Sequence, residues 1–201
     1  IEITGVSNHA GTTPMSLRCD AGWAAGSIIA FVREMAEEMG GSQVATVGRI
    51  ELFPNLVNVV PNRAVLTVDL RNTREESLRT AEARLLAHIA ALREAEKVQI
   101  ATRCLARFEP VPFAPEMTAL VERHAQEHGL STRRMPSGAG HDAQMLAAVC
   151  PSAMIFVPSV EGISHNVREF TQPHHIEAGA NVLLSVLCEL TGATRPAGVH
   201  S

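Results

Sequence analysis

Apolar and polar positions in the first half of the chain switch repeatedly between strand and helix spacing. Ile1–Gly5 reads as a short strand. From Asp20 to Met39 the spacing is helical, with Trp23, Ile28, Phe31, Val32 and Met35 on the apolar stripe and Gly40-Gly41 as the stop. Val44–Phe53 and Arg63–Arg71 are β-rich runs joined by Pro54–Asn62. Arg74–Glu96 is a charged amphipathic helix, and Val98–Phe108 reads as a further strand. The order β-α-β-β-α-β predicts a two-layer, ferredoxin-like plait.

The prolines of Glu109–Pro115 mark a boundary. Beyond them, Glu116–His128 predicts a helix stopped by Gly129. A helix over Gln144–Val149 follows, then a short buried strand over Ala153–Val157, a polar loop over Pro158–Thr171 and an apolar helix over Ile176–Leu190. This half has α/β character but too few strands for a complete sheet.

Composition narrows the function classes. With 46% hydrophobic and 19% charged residues, the chain is a soluble globular type. A net charge of −4 leaves no footprint for nucleic acid, and 3% aromatics leave no base-stacking platform. No apolar run reaches the length of a membrane span, and no signal peptide is present, so a cytoplasmic location is expected. Cys19, Cys104, Cys150 and Cys188 lie far apart with no C-x-x-C pair, and are expected as reduced thiols filling the core. The chain begins without Met inside a strand pattern, which is expected of a fragment of something longer.

Several residues could carry chemistry. His9, in GVSNHAGTTPM, lies on a strand-to-helix connection, where a rigid scaffold can present a side chain; otherwise Thr12 and Thr13 cap a turn and His9 is a surface residue. Asn58 interrupts the apolar run LVNVVP and must face solvent or find a partner. Arg71 ends the strand VLTVDLR and suits a bidentate grip on a carboxylate; its alternative is a salt bridge to Asp69. Gly140, in SGAGHD, lets backbone amides approach a ligand, while Asp142 caps the next helix in either case. His165, in EGISHN, follows the expected buried strand and could ligate zinc, or be a polar loop histidine. His124-Ala-Gln-Glu-His128 matches an inverted zinc-peptidase pattern, but the helix dipole alone favours histidines in a last turn. His174-His175 reads only as a helix start.

Taken in order, HAGTTPM with Arg18 and Asp20 following, NVVP, DLR, SGAGHDA and GISHN resemble the zinc-dependent hydantoinase/carbamoylase amidohydrolases. That family includes N-carbamoyl-L-amino-acid hydrolase, beta-ureidopropionase and allantoate amidohydrolase, within the aminoacylase/carboxypeptidase metallopeptidase superfamily. The resemblance implies a lid and dimerisation domain over residues 1–112, and the C-terminal part of an α/β zinc-binding catalytic domain over 113–201. It implies that His9 polarises the scissile carbonyl, often in the partner subunit's site. Asn58 and Arg71 would hold the substrate's polar groups and carboxylate, Gly140 would border the substrate, and His165 would ligate one metal of a two-metal site.

The reaction implied is hydrolysis of a linear amide, an N-carbamoyl amino acid or ureido acid, by metal-activated water. The metal would be zinc, with manganese, cobalt or nickel as alternatives. A homodimer, a small carboxylate-bearing substrate, and no nucleic-acid or membrane partner are expected. The remaining metal ligands and the general base would lie upstream of Ile1, so these 201 residues alone are expected to lack turnover. Two other readings stand beside this one: a metallopeptidase or aminoacylase acting on N-acyl amino acids or dipeptides, and a dimerisation or ligand-binding module without chemistry.

Overall fold

The computed structural model describes residues 1–193. The elements are β1 (Glu2–Thr4), β2 (Asn8–His9), α1 (Ala21–Met39), β3 (Val44–Phe53), β4 (Val59–Val60), β5 (Arg63–Arg71), α2 (Glu75–Glu96), β6 (Gln99–Ala101), α3 (Pro115–Glu127), α4 (Asp142–Leu146) and α5 (Pro173–Thr191). They fall into two compact units, which divide between Pro110 and Val111.

In the first unit the strands form an antiparallel sheet in the order β3-β5-β1-β6. With α1 and α2 this is the ferredoxin-like plait, an α/β arrangement. Alternation along β5 decides the layering. Ala64, Leu66, Val68 and Leu70 join the core under the helices, and the residues between them face the opposite way. α1 meets that core with Ala21, Ala24, Ala25, Ile28 and Val32, a stripe at helical spacing whose small residues allow close approach to the sheet. Asp20 caps α1, accepting hydrogen bonds from the amides of Gly22 and Trp23. Trp23 leaves the predicted stripe. It is exposed, and its indole N–H donates to Glu96.

Two tight spots follow from the packing. A Cβ on Gly5 would lie 2.0 Å from the carbonyl oxygen of Cys19, so the chain leaving β1 passes against the start of α1 with no room for a side chain. Gly5→Ala is expected to destabilise the protein by about 3 kcal/mol or more, the upper end for overpacking, measurable by urea denaturation. Between α1 and α2, the His88 ring stacks on Phe31 at 4.1 Å, and its Nε2 lies 3.1 Å from Ser27 Oγ.

Desolvation holds the His88 pKa below its ordinary value, against smaller upward pulls from Ser27 and Glu34. The unfolded chain therefore binds this proton more readily than the folded one. His88 contributes stability above the unfolded pKa of about 6.5, and that contribution is lost as pH falls through the lower folded value. Denaturation midpoints measured from about pH 7.5 to 5 should fall, and His88→Phe should flatten that decline.

Two expected elements are corrected. The strand expected over Val98–Phe108 is only Gln99–Ala101, because its partner β1 offers three residues to pair with. Past Ala101 the chain is irregular, and Arg107 ties it to Glu75 and Glu82 on α2. The buried strand expected over Ala153–Val157 does not form. The described residues of the second unit contain no strand for it to pair with, and Phe156 and Val157 are exposed. The cysteines, all free, are likewise not buried: Cys104 and Cys150 are exposed, Cys19 and Cys188 half-buried. No helix among the described residues is long and apolar enough to cross a membrane.

In the second unit, α3 and α5 pack together, and polar groups join them. His124 is buried, with Nδ1 2.9 Å from Glu127 and Nε2 3.0 Å from Glu189. His128 Nε2 lies 3.0 Å from Ser185 Oγ. Both histidines of the H-x-x-E-H motif are thus engaged in holding the two helices together.

Candidate active site

The loop between β1 and α1 gives His9 a defined setting. Its base is closed by the Val6 amide donating to the carbonyl of Cys19. β2 pairs antiparallel with β4, placing His9 opposite Val59, and the Ala10 amide donates to the carbonyl of Asn58. His9 and Asn58 are therefore brought together on one exposed two-stranded tongue, whose tip carries Leu56 and a fully exposed Val57. Asn58 meets its polar requirement by facing solvent.

The His9 ring is oriented from within the loop. The Gly11 amide donates to His9 Nδ1 at 3.0 Å, so the neutral ring carries its proton on Nε2. A Cβ on Gly11 would sit 3.3 Å from His9 Cε1, a tight approach that would press on the ring. Thr13 braces the same residue, with its amide and its hydroxyl both donating to the His9 carbonyl. The arrangement leaves an exposed imidazole with an N–H directed away from the loop, which is a hydrogen-bond donor for an oxygen on a ligand.

Arg71 lies at the other end of β5. Its guanidinium makes a bidentate pair with Asp69, Nε to Oδ1 at 2.9 Å and Nη2 to Oδ2 at 2.7 Å. The hydrogen bonds from Arg71 hold the Asp69 carboxyl below its usual range, and the Arg71 pKa is raised in turn. The salt bridge named as the alternative for Arg71 is thus present. The pair lines a shallow groove of about 320 Å³ on the sheet face away from the helices, with Val44, Thr46, Gly48 and Thr67. A bulge in β3, two residues opposite one between Thr46 and Arg49, shapes its floor. Arg63, at the His9 end of β5, is eight residues from Arg71, a run of roughly 26 Å. His9 and Arg71 are not neighbours within one chain.

In the second unit, Gly140 lies on the exposed SGAGHD turn, with open space where a Cβ would stand. The helix cap there is His141 rather than Asp142. Extended backbone at His141 lets its Nδ1 accept from the Ala143 amide, and Asp142 becomes the first helical residue. His165 sits within a loop closed by the Val160 amide donating to the carbonyl of Phe170. Its backbone is left-handed, φ 53°, held by its amide donating to Glu169 Oε2, while Asn166 Oδ1 accepts from the Arg168 amide. Glu169 was not visible as a loop-former in the sequence, because a carboxylate bonding four residues back carries no spacing signature outside a helix.

Among the described residues no group of three or more His, Cys, Asp or Glu is arranged to hold a metal ion. His165 alone does not make a metal centre.

Residues 17–189 match the profile of Peptidase family M20/M25/M40. The chain belongs to this family. It is 38% identical over 190 residues to an allantoate amidohydrolase of Escherichia coli (strain K12), covering 94% of this chain and 46% of that protein. It is 36% identical over 187 residues to an N-carbamoyl-L-amino-acid amidohydrolase of Rhizobium meliloti, covering 93% and 45%. Among solved M20-type folds, an amidase of the hydantoinase/carbamoylase family from Burkholderia vietnamiensis superposes with a TM-score of 0.89 at 38% identity, covering 98% of this chain and 47% of that one. The chain spans about half the length of these family members.

Proposed function

We propose that this chain supplies the lid and the distal part of the active site of a metal-dependent hydrolase of linear amides, acting on N-carbamoyl amino acids or ureido acids. Its M20 relatives include amidohydrolases named for such compounds. The observation that carries the proposal is the Gly11 bond to His9 Nδ1, which leaves Nε2–H to donate to the oxygen of the scissile carbonyl as that oxygen gains charge. Residues 1–112 are the lid, and 113–201 are the C-terminal part of the catalytic domain, its final residues lying outside those described. The second unit supports this role. It has no strand among its described residues, yet Ile176, Leu183, Leu187 and Leu190 of α5 are exposed, as a layer awaiting a sheet would be.

M20 amidohydrolases are generally dependent on divalent metal. On this reading His165 is one ligand of a zinc-type, two-metal centre, and Gly140 borders the substrate. The other ligands come from outside these residues. The placement of the His9 tongue near the Arg63 end of β5, with Arg71 at the other end, supports a homodimer, because the run of that strand, roughly 26 Å, is too long for one small substrate to bridge. The His9–Asn58 tongue would then serve one centre and Arg71 another. A cytoplasmic location belongs to the same proposal.

The test uses Arg71. A bidentate guanidinium supplies geometry that an ammonium lacks, and a hydrogen bond to a charged group contributes about 1.5–3 kcal/mol. In the complete protein, Arg71→Lys should lower kcat/KM for carboxylate-bearing substrates by about ten- to a hundredfold. Analogues with a neutral amide in place of the carboxylate should lose much less. Equal losses for both would make the Asp69 pair purely structural and move the carboxylate clamp elsewhere.

A further inference from the structure

Arg18 stands out among the groups around His9. It is half-buried, and its guanidinium bonds to no carboxylate among the described residues. Instead its charge is directed at two backbone carbonyls of the His9 loop, with Nη2 donating to Ala10 O at 2.6 Å and Nε donating to Thr13 O at 3.1 Å. These two donors share one edge of the planar guanidinium, so a single rigid group spans the turn that begins at His9. The anchor itself is fixed, because the Arg18 amide donates to Met15 O and the next carbonyl, of Cys19, accepts from Val6.

We infer that Arg18 is a positioning residue for His9, tying down the Ala10 and Thr13 carbonyls so that the Gly11 amide stays on His9 Nδ1 and the imidazole presents Nε2–H. The inference rests on the reading above, in which His9 donates to the scissile carbonyl. The chain of contacts is continuous. Ala10 and Thr13 flank Gly11, the Gly11 amide fixes the ring tautomer, and Thr13 also holds the His9 carbonyl. With Arg18 removed, no other side chain among the described residues bonds the Ala10 or Thr13 carbonyl. The turn can then relax and Gly11 can leave the ring. A lysine could reach one carbonyl as a point charge but not both. Arg18 touches no substrate in this account, so its effect must pass through His9 and appear in kcat rather than in KM.

The experiment has a kinetic arm and a spectroscopic arm. In the complete protein, with an N-carbamoyl amino acid as substrate, Arg18→Met should lower kcat about a hundredfold, the order expected for misplacing a catalytic group by about 1 Å. KM should change by less than about threefold, and Arg18→Lys should recover part of the loss. The double variant Arg18→Met/His9→Ala should be no slower than His9→Ala alone, because the two act as one unit. In the 201-residue chain labelled with ¹⁵N-histidine at about pH 8, His9 should show a protonated Nε2 and a bare Nδ1. Arg18→Met should shift it toward a mixture of tautomers.

Multiplying losses in the double variant, a kcat within twofold of wild type, or an unchanged His9 tautomer would each overturn the inference. If Arg18→Met does not fold, Arg18→Lys decides by the same tautomer and kcat criteria. If the wild-type complete protein turns over no linear amide, the functional reading fails, and the tautomer result alone decides the role of Arg18.

Discussion

Replacing His9 by alanine in the complete protein is expected to lower kcat for an N-carbamoyl amino acid by about a hundred- to a thousandfold, the cost of removing one donor to a developing oxyanion. KM should move little. The ground-state carbonyl gains less from the Nε2–H than the transition state does, and only that difference appears as rate. The fold should be undisturbed, because His9 is exposed and its side-chain bond is to the local Gly11 amide. Steady-state kinetics with circular dichroism checks both halves. If His9 instead serves only to shape the loop, the variant will lose thermal stability and keep its rate.

The second large effect is expected at His165. In the complete protein, His165→Ala should nearly abolish turnover and lower bound metal, measured by atomic emission after gel filtration. The affinity loss should exceed the ~10–100-fold typical of an outer-shell partner. His124→Ala and His128→Ala provide the contrast. Their imidazoles bond to Glu127, Glu189 and Ser185 between α3 and α5, so these variants should lower the melting temperature and leave metal content unchanged. Metal lost at His124 or His128 and kept at His165 would reverse the assignment.

The plait was legible because its signals are local. The stripe of α1, the Gly40 stop and the two long runs of β3 and β5 are each written within a few adjacent residues. What failed depended on partners. Val98–Phe108 and Ala153–Val157 both have strand composition, but a strand exists only where another backbone can pair with it. β1 is too short for the first, and no described strand of the second unit is available to the second. Trp23 has helical spacing, yet Glu96 draws its indole N–H to the surface.

The site shows the same division. The motif around His9 marked that loop as a candidate for chemistry, but the ring tautomer follows from the Gly11 bond, which sequence cannot state. Asp69 and Arg71, two apart on one face of β5, were recognisable as a pair. Whether that pair also grips a substrate is a matter of function rather than spacing. The separation of His9 from Arg71 became visible only with the register, once Thr4 was matched to Arg63 and Val44 to Arg71.

The most direct test is ammonia release by the complete protein. It should be incubated with an N-carbamoyl amino acid, a ureido acid, an N-acetyl amino acid and a dipeptide, before and after treatment with a chelator. The account predicts one ammonia per free amino acid from the carbamoyl or ureido compound, loss of that activity on chelation, and its return with a divalent metal. Cleavage of the N-acetyl amino acid or dipeptide without ammonia from the others, or ammonia release untouched by chelation, would contradict it.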